Sequence, residues 1–114
     1  MSNLSKQFHQ EAERLAEIIA KKYKPEKIIF YGSAARGKVT ENSDIDLCII
    51  KKSKLPLHKR IVQVYNSIEE DWDWKRAFEP IIFTPEEFEE RKRRGNYFIE
   101  NILKDGKVLY EKKT

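Results

Sequence analysis

Asp44 and Asp46 are the two residues whose types and spacing most directly suggest chemistry. They fall in the apolar run Asp44-Ile45-Asp46-Leu47-Cys48-Ile49-Ile50, which reads as a strand. In a strand, residues two apart point to one side, so Ile45, Leu47 and Ile49 can fill a core while both carboxylates face the other way. Two like charges at that spacing, roughly 6.6 Å between Cα atoms, repel unless a cation lies between them. A hard divalent ion such as Mg2+ suits such oxygen ligands. A pair of solvated acids at a strand end is the competing reading of D-x-D alone. The residues ahead of the pair weigh against it. Gly32-Ser33 follows the apolar run Lys27 to Tyr31 directly. A glycine there permits positive φ and close approach of a ligand to backbone. Ser33 offers a hydroxyl and the first N–H groups of a helical turn, which favour phosphate. Arg36, one turn on, can add a charge-assisted bond to the same anion. Anion donors opposite a cation-binding pair are what a nucleoside triphosphate with Mg2+ requires.

A second motif overlaps the first. Gly32 to Lys38 (GSAARGK) matches the opening of a phosphate-binding P-loop, and it follows a strand. The next residue is Val39, so the hydroxyl that would hold Mg2+ is missing, and the turn-rich stretch to Asp44 does not read as the long helix such a loop must enter. The P-loop reading is set aside.

These residues must be held by a small scaffold. The chain has 114 residues, 23 basic against 19 acidic, for a net charge of +4. That length predicts one domain over 1–114, with any missing partner surface supplied by another chain. The apolar periodicity predicts an amphipathic helix over 4–23 ended by Pro25, strands over 27–31 and 44–50, and a helix of about four turns from Pro56 that presents Leu57, Ile61, Val64, Tyr65, Ile68 and Trp72. A third strand is expected over 78–83. Pro80 lacks an N–H, so that strand should lie at a sheet edge or pair on one side there. Thr84-Pro85-Glu86-Glu87 is a helix start. That helix should run to about Arg94. A further helix should run from Asn96 or Tyr97 to Lys104, and a short strand over 107–111. The fold class is α/β (α+β), one small mixed sheet with helices packed on it.

Composition excludes other classes. No apolar stretch approaches the ~20 residues of a membrane span. The start of the chain has no basic-then-apolar signal pattern. The single cysteine, Cys48, has no internal partner, which fits a cytoplasmic location. One cysteine and two scattered histidines, His9 and His58, make no zinc site. The basic stretch Lys51 to Arg60 reads as a solvated loop and helix start. No aromatic–basic motif supports nucleic-acid binding. Trp72 is expected in the core and Trp74 outside it. Tyr97, Phe98, Ile102 and Leu103 form a wide apolar helix face, expected to be core.

G-S-x-x-R-G followed by S-D-I-D-L resembles the polymerase-β-type nucleotidyltransferases, and the short chain is similar to their smallest members, the minimal nucleotidyltransferases. The signature spans about twenty residues, and the order of elements resembles the family over nearly the whole chain. The resemblance implies a third carboxylate on a later strand, Glu79 by position, where many relatives carry Asp; Glu79 and the adjoining Pro80 depart from that pattern. It further implies that Gly32, Ser33 and Arg36 bind the nucleotide. Asp44, Asp46 and Glu79 would hold one or two Mg2+ ions and act as the catalytic residues. Minimal members resemble antitoxins paired with a helical HEPN-type RNase toxin. By that resemblance this chain would transfer AMP from ATP to a hydroxyl of its partner. The alternative is a binding module that neutralises its partner by contact alone. The choice of nucleotide, the acceptor and any homo- or hetero-oligomer stay open at this point.

Overall fold

The computed structural model describes residues 2–113; Met1 and Thr114, the two ends of the expected 1–114 unit, lie outside the described residues. The first helix, α1, spans Asn3–Tyr23 and buries Phe8, Ala12, Leu15, Ala16 and Ile19 along one stripe. The Ser2 hydroxyl accepts from the Ser5 N–H and caps its start. Lys24 ends it in the left-handed region, with φ 57°, immediately before Pro25. Strand β1, Lys27–Tyr31, follows, then the single turn α2, Gly32–Ala35. Strand β2 covers Ile45–Ile50. Asp44 therefore lies one residue outside the strand expected to begin with it. The Thr40–Ser43 turn precedes it, held by Ser43 N–H to the Thr40 carbonyl, and the ladder begins only where Ile45 meets Phe78.

Helix α3 covers Leu57–Ile68, three turns rather than four. The Asp71 and Trp72 N–H groups both return to the Ile68 carbonyl and fold the chain into a turn. Trp72 nonetheless packs in the core, as expected, with its indole N–H donated to the Arg76 carbonyl. Leu57, at the start of the helix, is exposed instead of joining the buried stripe, which is Arg60, Val64 and Ile68. Strand β3 is Phe78–Phe83. Helix α4, Pro85–Arg93, starts at a capping box: Thr84 accepts from the Glu87 N–H while the Glu87 carboxylate accepts from the Thr84 N–H. Helix α5, Tyr97–Asp105, is capped by Asn96, and β4, Lys107–Glu111, completes the chain.

The four strands form one sheet in the order β3-β2-β1-β4. β1 runs antiparallel to β2 and β4, whereas β2 and β3 are parallel, so the sheet is mixed as expected. α3 makes the crossover that a parallel pair demands. Pro80 sits on an edge strand, as its missing N–H requires. The Ala77 carbonyl accepts from Ile45 and the Phe83 carbonyl from Lys51, so odd-numbered residues of β3 bond to β2. Even-numbered ones face outward. There the Tyr65 hydroxyl donates to the Phe78 carbonyl and Arg60 Nη1 to the Ile82 carbonyl, with Pro80 between them. This edge is thereby blunted against pairing with other strands.

Both faces of the sheet are covered. Ile28, Phe30, Ile45, Leu47 and Ile49 pack against α1 and α3. Ile29, Cys48, Ile50 and Phe83 pack against Phe88, Ile99 and Ile102 of α4 and α5. The second layer is thinner than the sequence suggests. Tyr97 and Leu103 are exposed and Phe98 is half-exposed; only Ile99 and Ile102 of α5 are buried. A nine-residue helix set against one strand face buries residues at three-residue spacing and leaves the flanks of its apolar face in solvent.

Candidate active site

The end of the sheet where β1 finishes and β2 begins carries the candidate residues. β2 alternates as expected, with Ile45, Leu47 and Ile49 fully buried on one face and Asp46 half-buried on the other. The parallel register sets Glu79 directly beside Asp46, on strands about 4.8 Å apart. Asp44 precedes them at the mouth of β2. The three carboxylates expected from separate stretches thus occupy one end of the sheet. Burial first, and then the nearby negative charges of Glu79 and Asp44, raise the Asp46 carboxyl to about 6.

Gly32 fixes how closely the turn approaches this cluster. Its φ is +86°, and a Cβ added there would stand 2.5 Å from Asp46 Oδ2. Both constraints exclude a side chain, so the glycine expected to permit close approach does so against a carboxylate of the protein itself. Ser33 follows, exposed, at the first turn of α2, while Ala34 and Ala35 are buried beneath it. The Ser33 carbonyl accepts from the Arg36 and Lys38 N–H groups, which closes the turn. Arg36 is exposed at the rim. All six expected residues therefore lie toward one end of the sheet, on α2, the loop that follows it, β2 and the edge strand β3.

The donor set fits a hard divalent cation by its chemistry, since carboxylate oxygens are what such an ion takes and the mutual repulsion around Asp46 is what it would relieve. Among the described residues, no three Asp, Glu, His or Cys side chains converge tightly enough to enclose an ion by themselves. Two protein ligands with substrate phosphate oxygens completing the sphere is the usual arrangement for Mg2+.

Two residues at this end, Tyr31 and Asn101, were not singled out from the sequence, and a third, Phe98, was expected in the core. Tyr31 pairs with Asp46 across the β1–β2 ladder. Burial first, and then the neighbouring Asp46, hold its phenol well above the usual range. Its ring meets Phe98 edge-on, with centroids 5.6 Å apart. Tyr31, Gly32, Arg36, Phe98, Asn101 and Ile102 line a groove of about 190 Å3 that leads from the glycine turn to α5. Parity along β1 already puts Tyr31 on the Asp46 side; nothing local in the sequence brings α5 to it.

Cys48 shares the Asp46 face but is buried, and burial pushes its thiol up to about 12, so it offers no thiolate. A larger groove, about 450 Å3, lies at the opposite end of the sheet between Lys27, Ile50, Lys52, Phe88 and Glu111, and none of the motif residues reaches it. Among the described residues, no helix is long and apolar enough to cross a membrane.

Comparison with known proteins agrees with this fold. The family pattern described as polymerase beta, nucleotidyltransferase matches residues 13–114. Among solved structures, the fold is shared with a candidate nucleotidyltransferase from Sulfolobus solfataricus, with TM-score 0.62, 20% identity and coverage of 95% of this chain and 84% of that one. It is shared with a toxin–antitoxin bound to AMP-PNP, with TM-score 0.56, 14% identity and coverage of 89% and 74%. It is also shared with a MntA–HpeT toxin–antitoxin carrying two Asp-to-Glu substitutions, with TM-score 0.55, 12% identity and coverage of 90% and 74%. At such identities the likeness is one of fold. Among proteins of curated function, none matches the chain.

Proposed function

The chain belongs to the polymerase beta nucleotidyltransferase family, and from that premise we propose that it transfers a nucleoside monophosphate, AMP from ATP, to a hydroxyl of a partner protein. The observation that carries this reading is the approach of Gly32 to Asp46, with Glu79 in register beside Asp46 and Asp44 at the strand mouth. Phosphate donors and a carboxylate cluster are set against each other there.

In this reading Ser33, the first N–H groups of α2 and Arg36 hold the β- and γ-phosphates. Asp44, Asp46 and Glu79 would hold Mg2+, which when bound neutralises charge on the phosphates and on the attacking and leaving oxygens. Glu79 is exposed on the edge strand whereas Asp44 and Asp46 are half-buried, so it is the carboxylate most open to an incoming group. It is placed to accept the proton of the acceptor hydroxyl as that oxygen bonds to the α-phosphorus. The bond from the α-phosphorus to the bridging oxygen breaks, and pyrophosphate leaves. Few residues suffice, because such chemistry relies on positioning and charge stabilisation.

The acceptor is proposed to be a separate protein, met in the cytoplasm. Two of the structures that share its fold are toxin–antitoxins, one of them with AMP-PNP. That supports an antitoxin role toward a helical HEPN-type toxin. The test is to incubate the protein with Mg2+, α-labelled ATP and the product of the adjacent gene. Label on the partner that disappears with Asp44→Asn and Asp46→Asn is the expected result. Neutralisation that survives both substitutions without any label would overturn the enzymatic reading in favour of a contact-only binder.

A further inference from the structure

The groove between the glycine turn and α5 is a candidate reader of the base. We propose that Phe98 and Asn101 form the wall that receives and selects an adenine ring, an inference that rests on the nucleotidyltransferase reading and names the specificity residues of that site. Three observations carry it. First, the groove is continuous with the motif: Gly32 and Arg36 line one side, and Phe98, Asn101 and Ile102 line the other. A triphosphate held at Gly32 and Ser33 has its nucleoside end to place, and this groove opens from the same glycine. Second, Phe98 is 40% exposed although it stands on a short helix whose buried positions are Ile99 and Ile102. Its edge-on contact with Tyr31 holds the ring against the turn that follows Asp46's ladder partner. A fixed, half-open aromatic ring is a stacking surface for any base. Third, Asn101 is exposed one helical turn from Phe98, on the same wall. A carboxamide offers one acceptor and two donors at fixed separation. That matches the adjacent amino donor and ring-nitrogen acceptor of adenine, and mismatches the paired acceptors of guanine.

The wall separates two jobs. Phe98 contributes affinity without regard to base, and Asn101 contributes the preference. Neither touches the reacting phosphorus, so neither belongs to the catalytic group.

The experiment measures binding of Mg-ATP, Mg-GTP and Mg-tripolyphosphate to the full chain without acceptor, for the natural protein, Phe98→Leu and Asn101→Ala. Phe98→Leu keeps apolar volume against Tyr31 while removing the π face. Asn101→Ala alters an exposed side chain and leaves the fold intact. Expected are a preference for ATP over GTP in the natural protein and a loss of roughly tenfold in affinity for both nucleotides with Phe98→Leu. Asn101→Ala should bring the ATP to GTP ratio close to one. Tripolyphosphate, which has no base, should bind all three proteins equally. Equal binding of ATP, GTP and tripolyphosphate by the natural protein would overturn the inference, as would nucleotide affinities unmoved by both substitutions. Selective ATP binding without label transfer to any partner would instead overturn the proposed function and leave the base wall standing.

Discussion

The two ends of the sheet treat charge in opposite ways. At the far end, Arg60 is buried and fully matched. Its guanidinium meets the Glu87 carboxylate with two bonds, Nη1 to Oε1 at 2.7 Å and Nη2 to Oε2 at 3.1 Å. Its Nε donates to the Leu55 carbonyl, and Nη1 also donates to Ile82. Glu87 in turn caps α4 through the Thr84 N–H. The hydrogen bond from Arg60 holds the Glu87 carboxyl down at about 2. At the near end, Asp46 is half-buried, has two like charges beside it, and sits at about 6. A scaffold selected only for stability would match the near end as it matches the far one. Leaving carboxylates unmatched beside a glycine turn costs stability and, in the proposed function, keeps a place for cationic ligands and phosphates.

The sharpest way to break this contrast is to remove the unmatched charge. Asp46→Asn should lower label transfer about a thousandfold, since the proposed function makes it a metal ligand and such a ligand supports several kcal/mol of charge stabilisation. The same variant should be more stable toward urea than the natural chain at pH 7, because a repelled carboxylate is gone. Gly32→Ala comes next. The added methyl meets Asp46 Oδ2. The carboxylate must move, and transfer should fall about a hundredfold. The left-handed backbone adds about 1–2 kcal/mol of destabilisation, readable by denaturant titration. At the far end, Glu87→Ala should cost about 2 kcal/mol, less than a fully buried pair because Glu87 is partly exposed. At temperatures where that variant stays folded, transfer should remain within a few-fold of the natural rate.

The smallest effects are in the pH profile of the protein without metal, and they have opposite signs at the two ends. The folded-state value of Glu87 is depressed, so its contribution is present above about pH 4.5 and lost as pH falls toward about 2. The folded-state value of Asp46 is raised, so the folded form holds that proton more tightly and stability declines as pH rises from about 4 to about 6. Denaturant midpoints across pH 2 to 8 should show both limbs. Asp46→Asn should flatten the upper limb and Glu87→Gln the lower one. A lower limb that persists in Glu87→Gln would show that other carboxylates dominate acid unfolding.

The near end was largely legible in the sequence. The spacing of Asp44, Asp46 and Gly32 reads out a strand pair and a turn, and the structure brings those residues together with Glu79. The strands over 27–31 and 78–83, the edge position of Pro80 and the cap at Thr84 follow from local rules as well. The far end was not legible. Arg60 belongs to a basic stretch that reads as solvated, yet its partner is 27 residues away and meets it only after β3 and α4 have formed. The same holds for the groove: Tyr31 and Phe98 are separated by most of the chain, and no periodicity links them. Trp74 is exposed, as expected, but its stacking on Tyr65 and Phe78 and its φ of 59° required the turn after α3, which the expected longer helix would have replaced. Local patterns fix which way a side chain points; they do not fix which distant element it meets.

The outer edge of β3 gives the third acid a distinctive setting. Tyr65 grips the carbonyl before Glu79 and Arg60 the one three residues beyond it, so this strand is braced from outside as well as bonded from within. The brace runs back to α3 and Glu87, the far-end machinery. β3 has one ladder neighbour where Asp46 has two, so warming that undoes this brace should loosen the carboxylate on the rim before Asp46, and the capacity to transfer should fade ahead of the global melt.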